Sequence, residues 1–433
     1  MTQATPPAPP QQTPQQTADA APLLRIDRLG RRGDGVALTP QGARVLVPLT
    51  LPGEEVTGHI TDGRMPAPRI VTPSPQRIRA ACPHYRSCGG CQLMHGTDDF
   101  VAGWKAGVVD TALAAQGVRI ADQAARVAAV HGSPPRSRRR AVLSLKRTKK
   151  GALAGFHARA SGVIVDLADC LVLHPRITAA LPALRRMAVM GGSRQGEMSV
   201  TINHGPAGLD LAVSGGKPGT PDLLAALADL AREQDWARLF WGDTPLTRRP
   251  PVQVFGAAQV VPPPGAFLQA TPQGEAALLD GVRRAIGNAT RVVDLFAGCG
   301  TFTLPLAAQA TVHAVEGLAA PLAALDAGWR QASGLHRVTT ETRDLARRPL
   351  LPDELARFDA IVIDPPRTGA EAQARQIAAS DLRRLAWVSC DPVSFARDSR
   401  ILLDGGWQMD WVEAVDQFRW SAHIETVAAF RRP

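Results

Sequence analysis

The sequence lacks a long hydrophobic run and contains few cysteines. No stretch of about 18 consecutive apolar residues occurs in its 433 residues, so a membrane-spanning helix is not predicted. Residues 1–21 are polar and have no apolar core of a signal peptide, and we therefore expect a cytoplasmic protein with no membrane partner. The six cysteines are expected to be reduced in that compartment, so clustered cysteines indicate metal binding or catalysis rather than disulfides.

The composition is typical of a globular protein that binds a polyanion. Hydrophobic residues make up 45% of the chain. Its length allows roughly two to four domains, each with its own core. The formal net charge is +10, and nucleic acid is the commonest partner of so basic a chain. Residues 1–22 are rich in proline and glutamine and are predicted to form a disordered tail.

Residues 23–75 predict a small OB-like β-barrel, because five short runs of strand-forming residues are separated by breaks that contain glycine and proline. Arg25, Arg28, Arg31 and Arg32 cluster around its first turn. A basic barrel of this size suits nucleic-acid binding, and a solvated basic turn is the alternative. The predicted strands are Leu23 to Ile26, Gly35 to Leu38, Arg44 to Pro48, Glu55 to Ile60 and Arg69 to Val71.

Four cysteines of the first half indicate a metal site. Cys82, Cys88 and Cys91 lie within ten residues of one another, and Cys170 is the remaining cysteine of this half. Three cysteines so close together cannot all point into a core, and the glycines between the last two let the chain fold around a metal centre. Four thiolates bind either an iron–sulfur cluster or a tetrahedral zinc ion, and their spacing does not distinguish the two.

Two further features of the first half carry structural predictions. The spacing of Phe100, Trp104, Val108 and Ala112 predicts an amphipathic helix from Asp98 to Gln116. The stretch Arg136 to Lys150 combines eight basic residues with an apolar alternation and predicts a β-hairpin with a cationic tip and one cationic face. That hairpin is the best electrostatic candidate for a phosphate-binding surface, and a merely solvated face is the alternative.

Residues 292–306 predict the strand, turn and helix that open a nucleoside-binding βαβ unit. The apolar strand from Val292 to Leu295 runs into a turn that contains Gly298 and Gly300, and a helix is expected to start near Thr301. Glycine lets the backbone approach a ligand at positions where a Cβ atom would collide with it.

An acidic residue at the end of the next strand supports a nucleoside site. The strand from Thr311 to Val315 is followed by Glu316, 22 residues after Asp294, which is about the spacing at which a carboxylate reaches ribose hydroxyls. The third glycine of a dinucleotide fingerprint is absent. A phosphate-free nucleoside such as S-adenosylmethionine therefore fits better than a dinucleotide.

Reactive side chains follow the later strands of this region. Asp344 follows the βαβ unit, and Asp364 comes at the end of an apolar strand and before two prolines and Arg367. Cys390 ends another apolar strand, and Glu425 immediately precedes the last one. Because ligands of open α/β sheets bind at the carboxyl ends of the strands, we expect these groups to converge on the nucleoside pocket.

The thiol and the two acids suit methylation of a pyrimidine at C5. C5 is a poor nucleophile until a thiolate adds to C6, a role that Cys390 can take. A base must then remove the C5 proton so that the thiol can leave, and Glu425 can supply it. Methylation of an exocyclic amine is a weaker interpretation, because Arg367 stands where amino-methylating enzymes place an aromatic residue.

Taken together, these motifs resemble the RNA uracil-5-methyltransferase family, specifically its iron–sulfur-containing type that methylates 23S ribosomal RNA. The resemblance covers nearly everything from residue 23 to the end. It rests on Asp294-Leu-Phe-Ala-Gly-Cys-Gly, Asp364-Pro-Pro-Arg, Ser389-Cys-Asp-Pro, His423-Ile-Glu and the cysteines Cys82, Cys88, Cys91 and Cys170.

The resemblance implies an α/β protein of three domains. These are a TRAM domain of OB type over residues 23–75, a central β-rich domain over 76–261 that holds a [4Fe-4S] cluster, and a Rossmann-like methyltransferase domain over 262–433. The helix over 98–116 is expected to pack on the catalytic domain, and the protein is expected to be a monomer. Cys390 is implied as nucleophile and Glu425 as base. S-adenosylmethionine contacts are implied at Gln269, Phe296, Thr301, Glu316, Asp344 and Asp364.

The chain departs from this family at three positions. Thr301 and Thr271 each stand where members often have asparagine, and Asp391 stands where asparagine is frequent after the cysteine.

Three other functions were weighed against methylation of 23S ribosomal RNA. The same chemistry on tRNA uses the same residues, but the TRAM-like region and the cysteines favour ribosomal RNA. A non-catalytic RNA-binding or ribosome-assembly factor would not need an intact set of acids and thiol. A DNA cytosine-5 enzyme carries its nucleophile in a Pro-Cys loop, and that dipeptide is absent from the sequence.

Overall fold

A computed structural model describes residues 22–120, 127 and 130–433, and the predicted disordered tail lies outside this part apart from Pro22. The chain divides into two compact units, Met1–Pro75 and Gln76–Pro433. The boundary predicted at residue 262 falls inside the second unit, so the division into central and catalytic domains stays a prediction.

The described part of the first unit is a five-stranded antiparallel sheet. Its strands are β1 (Leu23–Leu29), β2 (Gly35–Leu38), β3 (Arg44–Val47), β4 (Glu55–Thr57) and β5 (Arg69–Thr72). They pair in the order β3-β2-β1-β4-β5 around a small core that includes Ile26, Val47 and Val56. Leu46 of β3 also exchanges backbone hydrogen bonds with residues 63 and 65, which lie between β4 and β5. These bonds link one edge strand of the sheet to its other side, and the OB-like barrel itself stays a prediction.

The second unit opens with helix α1 (Asp98–Ala115) and the short strand β6 (Val130–Gly132). The Thr97 side chain accepts a hydrogen bond from the backbone N–H of Phe100, and the two aspartates of the first turn suit the positive end of the helix dipole. The buried residues of α1 are Val101, Lys105, Val109 and Leu113. Val109 and Leu113 belong to the same core as the large sheet at the end of the chain.

The predicted apolar stripe of α1 was wrong by one position. Phe100, Trp104, Val108 and Ala112 are only partly buried. The buried row contains Lys105, which an apolar pattern excludes, and its ammonium donates to the Asp416 carboxylate at 2.5 Å. The same ammonium donates to the carbonyl oxygens of Phe418 and His423 at 3.2 and 3.0 Å. Pairing with these acceptors is what allows a lysine to occupy the buried side.

A seven-stranded sheet follows, with the strand order β13-β12-β11-β10-β7-β8-β9. Its strands are β7 (Arg140–Arg147), β8 (Ala152–His157), β9 (Ile164–Asp166), β10 (Met198–Gly205), β11 (Gly208–Ser214), β12 (Arg238–Trp241) and β13 (Thr244–Thr247). Its helices are α2 (Pro175–Ala179), α3 (Leu181–Gly191) and α4 (Pro221–Glu233), and the strands β14 (Gln253–Phe255) and β15 (Ala258–Val260) form a separate hairpin. Leu143 and Leu145 of β7 pack with Leu184 and Met187 of α3 in one core.

An eight-stranded sheet completes the unit and gives it an α/β fold. Its strands, besides β6, are β16 (Arg291–Leu295), β17 (Thr311–Glu316), β18 (Val338–Thr342), β19 (Ala360–Ile363), β20 (Arg384–Ser389), β21 (Gln408–Asp416) and β22 (Glu425–Arg431). Their order is β18-β17-β16-β19-β20-β22-β21-β6. The first five are parallel, and β22 runs antiparallel to both β20 and β21.

Alternate residues of these strands enter two cores, one on each face of the sheet. Val293 and Ile361 belong to one core, and their chain neighbours Val292 and Val362 belong to the other. The helices are α5 (Pro272–Ile286), α6 (Thr303–Leu306), α7 (Ala319–Gln331), α8 (Pro352–Leu355), α9 (Glu371–Ala378) and α10 (Pro392–Asp404). Helix α6, expected near Thr301, starts two residues later and lasts one turn.

The parallel order reverses at β16, which has β17 on one side and β19 on the other. Such a reversal opens a crevice at the carboxyl ends of the strands, where α/β proteins bind ligands. Within the described residues, no helix is both long enough and apolar enough to cross a lipid bilayer.

Removing the buried charge of Lys105 should destabilise the protein strongly. The variant Lys105→Met leaves the Asp416 carboxylate and two carbonyl oxygens without their donor, and we expect a loss of about 3–5 kcal/mol in the free energy of unfolding. Urea denaturation measures it. The control is Lys217→Met at an exposed lysine, which should change stability by less than about 0.5 kcal/mol. Equal losses in the two variants would contradict the structural role of Lys105.

Candidate active site

The pairing of β20 with β22 brings a thiol and a carboxyl group together. Ser389, the last residue of β20, pairs with Thr426 of β22. Cys390 directly follows Ser389 and Glu425 directly precedes Thr426, so both lie at the same edge of the sheet. The Thr426 hydroxyl also donates to the Ser389 carbonyl oxygen at 3.3 Å. Because β22 is antiparallel to β20, its first residue lies where β20 ends.

The surroundings of Cys390 keep its thiol protonated. Burial raises the pKa of Cys390 to about 12, and the negative charges of Glu425 and Asp364 act in the same direction. The Arg367 guanidinium opposes them. A thiol with so high a pKa needs a change in its surroundings, such as a bound substrate that excludes or neutralises these charges, before it acts as a thiolate.

The pKa values of the two carboxyl groups at this edge are also raised. Burial raises the pKa of Asp364 to about 7. Glu425 is almost completely buried, and burial together with the nearby Asp364 raises its pKa well above its usual range. A carboxylate with a raised pKa is a stronger base than a solvent-exposed one, which suits proton removal near neutral pH.

Two glutamines link these carboxyl groups. Gln269 donates from Nε2 to Asp364 Oδ2 at 3.2 Å, and Gln417 donates from Nε2 to Gln269 Oε1 at 2.6 Å. Gln417 also acts on Glu425, where it opposes the rise in pKa that burial causes. Gln417 is not among the residues that the sequence predicts, because one buried glutamine after a strand gives no motif, although its place between that strand and His423-Ile-Glu was a usable signal.

The turn after β16 has the backbone conformation that the sequence predicted. Phe296, Gly298 and Gly300 have φ angles of 62°, 55° and 93°. A Cβ on Gly298 would meet nothing within 4 Å, whereas one on Gly300 would lie 2.9 Å from side-chain carbons of Leu304 and Leu325. Gly298 therefore leaves open space at the edge of the sheet, and Gly300 is required by packing.

Glu316 lies beside this turn and holds two backbone amides. Its carboxylate accepts from the N–H of Gly298 at 3.1 Å and from the N–H of Leu318 at 3.0 Å. Thr301 is half-buried at the far end of the turn.

A cleft of about 450 Å³ lies next to the turn and is lined by Phe296, Leu345, Pro366 and Thr368, among others. It runs from the end of β16 to the loop that follows Asp364. Asp344 precedes Leu345, but its side chain is 55% exposed and pairs with Arg347 at 3.5 Å. The structure therefore brings Gln269, Asp364, Cys390 and Glu425 together and leaves Asp344 on the surface.

The four cysteines of the first half line one cavity of about 280 Å³. Cys91 interacts electrostatically with Cys82, Cys88 and Cys170, so their sulfur atoms are neighbours. Among residues 22–120, 127 and 130–433, however, no three histidine, cysteine, aspartate or glutamate side chains form a group that could hold a metal ion. The segment after Cys91 is bonded to the loop that leads to Glu425, since the N–H groups of residues 92 and 93 both donate to the Trp420 carbonyl oxygen.

The same cavity is lined by arginines from the predicted hairpin and from the loop after Asp364. Arg138, Arg140 and Arg367 face it. Arg138 lies over the Phe418 ring, with 5.2 Å from its Cζ to the ring centroid. In the described part of the chain, the hydrogen-bond partners of these three guanidiniums are carbonyl oxygens and the His423 ring, not carboxylates.

Two other arginines of the predicted cationic face have structural partners instead. Arg136 forms a bidentate pair with Asp169, and Arg139 pairs with Glu275 at 2.5 Å. Arg139 also donates to the Gln269 carbonyl oxygen at 3.1 Å. Its charge is therefore neutralised, and it anchors the segment before α5 rather than facing solvent. The hairpin differs from the predicted one over Arg136 to Lys150, because it is formed by β7 and the following strand β8, with exposed lysines at its tip.

Known proteins resemble this chain over nearly its whole length. An RNA methyltransferase of Mesorhizobium japonicum, itself uncharacterized, is 44% identical over 94% of this chain and 97% of its own. The 23S rRNA (uracil(1939)-C(5))-methyltransferase RlmD of Chromohalobacter salexigens is 32% identical over 96% of this chain and 90% of its own. No family model matches the chain.

A solved structure shares the fold. The Pyrococcus abyssi tRNA (uracil-54, C5)-methyltransferase in complex with S-adenosyl-L-homocysteine matches with a TM-score of 0.72 and 20% identity. The match covers 94% of this chain and 99% of that one.

The chemical reactivity of Cys390 should increase when the neighbouring carboxyl group is neutralised. In Glu425→Gln the negative charge that raises the pKa of Cys390 is lost, so its pKa falls and more thiolate is present at a given pH. Alkylation by iodoacetamide at pH 9, followed at Cys390 by peptide mass spectrometry, should accelerate roughly tenfold for each unit of that fall. The control is Glu413→Gln, a buried glutamate whose charge is not among those that shift the pKa of Cys390. Equal rates in both variants would show that Glu425 does not act on the thiol.

Proposed function

The chain belongs to the family of RNA methyltransferases to which these relatives belong, and we propose that it methylates a uridine of 23S ribosomal RNA at C5, with S-adenosylmethionine as methyl donor. The observation that carries the proposal is the convergence of Cys390, Glu425 and Asp364 at one sheet edge. The relative that acts on 23S rRNA is 32% identical over nearly the whole chain, which favours ribosomal RNA over tRNA.

In the proposed reaction Cys390 is the nucleophile. Once the thiol has lost its proton, its sulfur bonds to C6 of the uracil ring as the C5–C6 double bond opens. The electron pair moves toward C5, which can then take the methyl group. Arg367 faces the thiol and is the one charge there that favours the thiolate. A uridine that lies between the thiol and the two carboxyl groups would weaken their opposing effect on the thiolate.

Glu425 then completes the reaction as general base. It takes the proton from C5, the C6–S bond breaks, and the thiolate of Cys390 is released as the ring double bond re-forms. Its raised pKa makes it able to accept that proton, and its burial keeps bulk water from doing so. The target base must leave its stack to reach this edge, at a cost of about a few kcal/mol.

The residues at the open end of β16 fit S-adenosylmethionine, which supplies the methyl group when bound. Gly298 leaves room for a ligand, and Glu316 presents a carboxylate beside it where ribose hydroxyls would lie. We propose further contacts from Phe296, Thr301, Asp364 and Gln269. For Asp344 we propose a contact at the rim of the cleft, because it is exposed there.

RNA would approach over the surface formed by Arg138, Arg140 and Arg367, beside the cavity that the cysteines line. These guanidiniums are half-buried or exposed and have no carboxylate partner among the described residues, so they are available to phosphate oxygens. The exposed Lys149 and Lys150 extend the basic surface along the hairpin. We propose that the first unit is a TRAM domain that binds RNA through its arginines, and that the protein acts as a cytoplasmic monomer.

We propose that Cys82, Cys88, Cys91 and Cys170 hold a [4Fe-4S] cluster. Support comes from the shared cavity of their thiols. Four thiolates can hold either such a cluster or a zinc ion, and the resemblance of the cysteine motif to the iron–sulfur type favours the cluster. The cluster would hold in place the segment after Cys91, which is hydrogen-bonded to the loop before Glu425.

An RNA adduct tests the proposed function. 23S ribosomal RNA transcribed with 5-fluorouridine is incubated with S-adenosylmethionine and the protein, then separated on a denaturing gel. Fluorine cannot leave C5 as a proton, so the wild type should form a stable methylated adduct and Cys390→Ala should form none.

Three outcomes of that experiment distinguish the alternatives. An adduct with 23S ribosomal RNA supports the proposal, and sequencing of the trapped RNA identifies the uridine. An adduct that forms only with tRNA would keep the chemistry and replace the substrate. No adduct in a protein that binds S-adenosylmethionine would refute covalent methylation at C5.

Metal analysis tests the cluster. The protein purified without oxygen should contain about four iron and four acid-labile sulfide ions per chain, and Cys170→Ser should lose both. The control is Cys299→Ser. Cys299 is a buried cysteine in the turn after β16, and its replacement should leave both contents unchanged. Zinc without sulfide would show that the site is a zinc site.

A further inference from the structure

Gln417 occupies a special place between the two acids of the candidate site. It follows the last residue of β21 and is 1% exposed. The Gln417 Cβ packs directly against Gly274. A Cβ at residue 274 would come within 2.7 Å of the Gln417 Cβ, so only glycine leaves room for it. Packing therefore confines the Gln417 side chain to one position.

The orientation of the Gln417 amide follows from a backbone group. The N–H of Ala270 can only donate, and it donates to Gln417 Oε1 at 2.7 Å. The Gln417 nitrogen must therefore point the other way, with two hydrogens to donate. One goes to Gln269 Oε1 at 2.6 Å, and the other is available to the Glu425 carboxyl group, because Glu425 pairs with Val415, two residues before Gln417. Gln417 accordingly opposes the rise in the pKa of Glu425.

The same logic fixes Gln269. Because its Oε1 accepts from Gln417, its Nε2 must donate, and it donates to Asp364 Oδ2 at 3.2 Å. One backbone N–H thus sets a chain of hydrogen bonds that runs through both glutamines and ends on Asp364, with a branch to Glu425. Every member of the chain has a single hydrogen-bonding orientation.

The backbone that carries Gln417 is anchored on the opposite side. The preceding Asp416 carboxylate is held by the Lys105 ammonium and accepts from the backbone N–H of Phe418 at 3.1 Å. The same lysine donates to the carbonyl oxygen of Phe418. Gln417 is therefore held through its backbone and through its side chain.

We propose that Gln417 is a positioning residue that holds the carboxyl group of Glu425 in place for removal of the C5 proton and keeps it in register with Gln269 and Asp364. This inference rests on the proposed function. It assigns Gln417 to one step, because Glu425 acts only after the bond from Cys390 to C6 has formed and the methyl group has been transferred.

A split between two rates is therefore expected in Gln417→Met. Methionine keeps the length of the side chain but cannot donate to Glu425 or Gln269. In single turnover at saturating S-adenosylmethionine, with 23S ribosomal RNA that contains ordinary uridine, methyl transfer should be close to wild type, because a loosened Gln269 weakens only the binding of that ligand. Release of the methylated RNA should slow by about 10- to 100-fold, the usual effect of a catalytic group displaced by about 1 Å. A denaturing gel should show the covalent adduct accumulating without fluorine.

Gln373→Met is the matched control. Gln373 is also a buried glutamine of the second unit, and it bonds to the N–H and the carbonyl oxygen of Leu350 at 2.9 and 3.1 Å. It reports the general cost of losing a buried amide and should release RNA at the wild-type rate. The variant Gln417→Asn, whose shorter amide cannot span the same distances, should also accumulate adduct. Binding of S-adenosylmethionine and the urea midpoint are measured for each variant.

The outcomes distinguish a failure of the role of Gln417 from a failure of the proposed function. Adduct accumulation in both Gln417 variants, with methyl transfer intact and Gln373→Met normal, supports the inference. Normal release, or an equal slowing of methyl transfer and release, overturns it while the proposed function stands. If the wild type itself forms no adduct on 5-fluorouridine RNA and transfers no methyl group, the proposed function fails, and the role of Gln417 fails with it.

Discussion

The backbone hydrogen bonds between β20 and β22 decide where the reactive groups meet. Both strands are buried, and antiparallel pairing places the start of β22 beside the end of β20. Cys390 and Glu425 are 35 residues apart in sequence, yet this ladder makes them neighbours. The five parallel strands on the other side bring Asp364 and the turn after β16 to the same edge. A change of register in β22 would remove Glu425 from the site.

Burial of the carboxyl groups of Asp294, Asp364 and Glu425 has a cost in free energy. Burial raises the pKa of Asp294 and of Asp364 to about 7, and Glu425 is shifted in the same direction. Each group keeps a polar partner. The Thr303 hydroxyl donates to Asp294, Gln269 donates to Asp364, and Gln417 acts on Glu425. Acids poised near neutral pH are typical of proton-transfer sites. Lys105 contributes differently, because its charge is fully paired and holds a loop.

Much of the candidate site could be predicted from sequence because it is encoded locally. A strand followed by glycines, by Asp-Pro-Pro-Arg or by Ser-Cys-Asp-Pro places its reactive residue at the carboxyl end of that strand. The alternation of strand-forming residues and turns also predicted the five strands of the first unit, with bounds close to those observed. The strand Gly35–Leu38, for example, has the predicted bounds. The apolar stripe of α1 was missed by one position, because a buried lysine is recognised only by its partner at residue 416. The roles of Arg136 and Arg139 depend on acids at residues 169 and 275 in the same way.

The sequence by itself determined the α/β class, the reactive residue types and their place at strand ends, since these depend on periodicity and on residues close in the chain. Only the tertiary structure decided which of them face one another. It placed Asp344 at the surface and joined Gln417 to Gln269 across 148 residues. It also gathered four cysteines around one cavity with Arg138 and Arg367. Hydrogen bonds, burial and charge pairing act between groups that are distant in the chain, and local sequence carries no record of those distances.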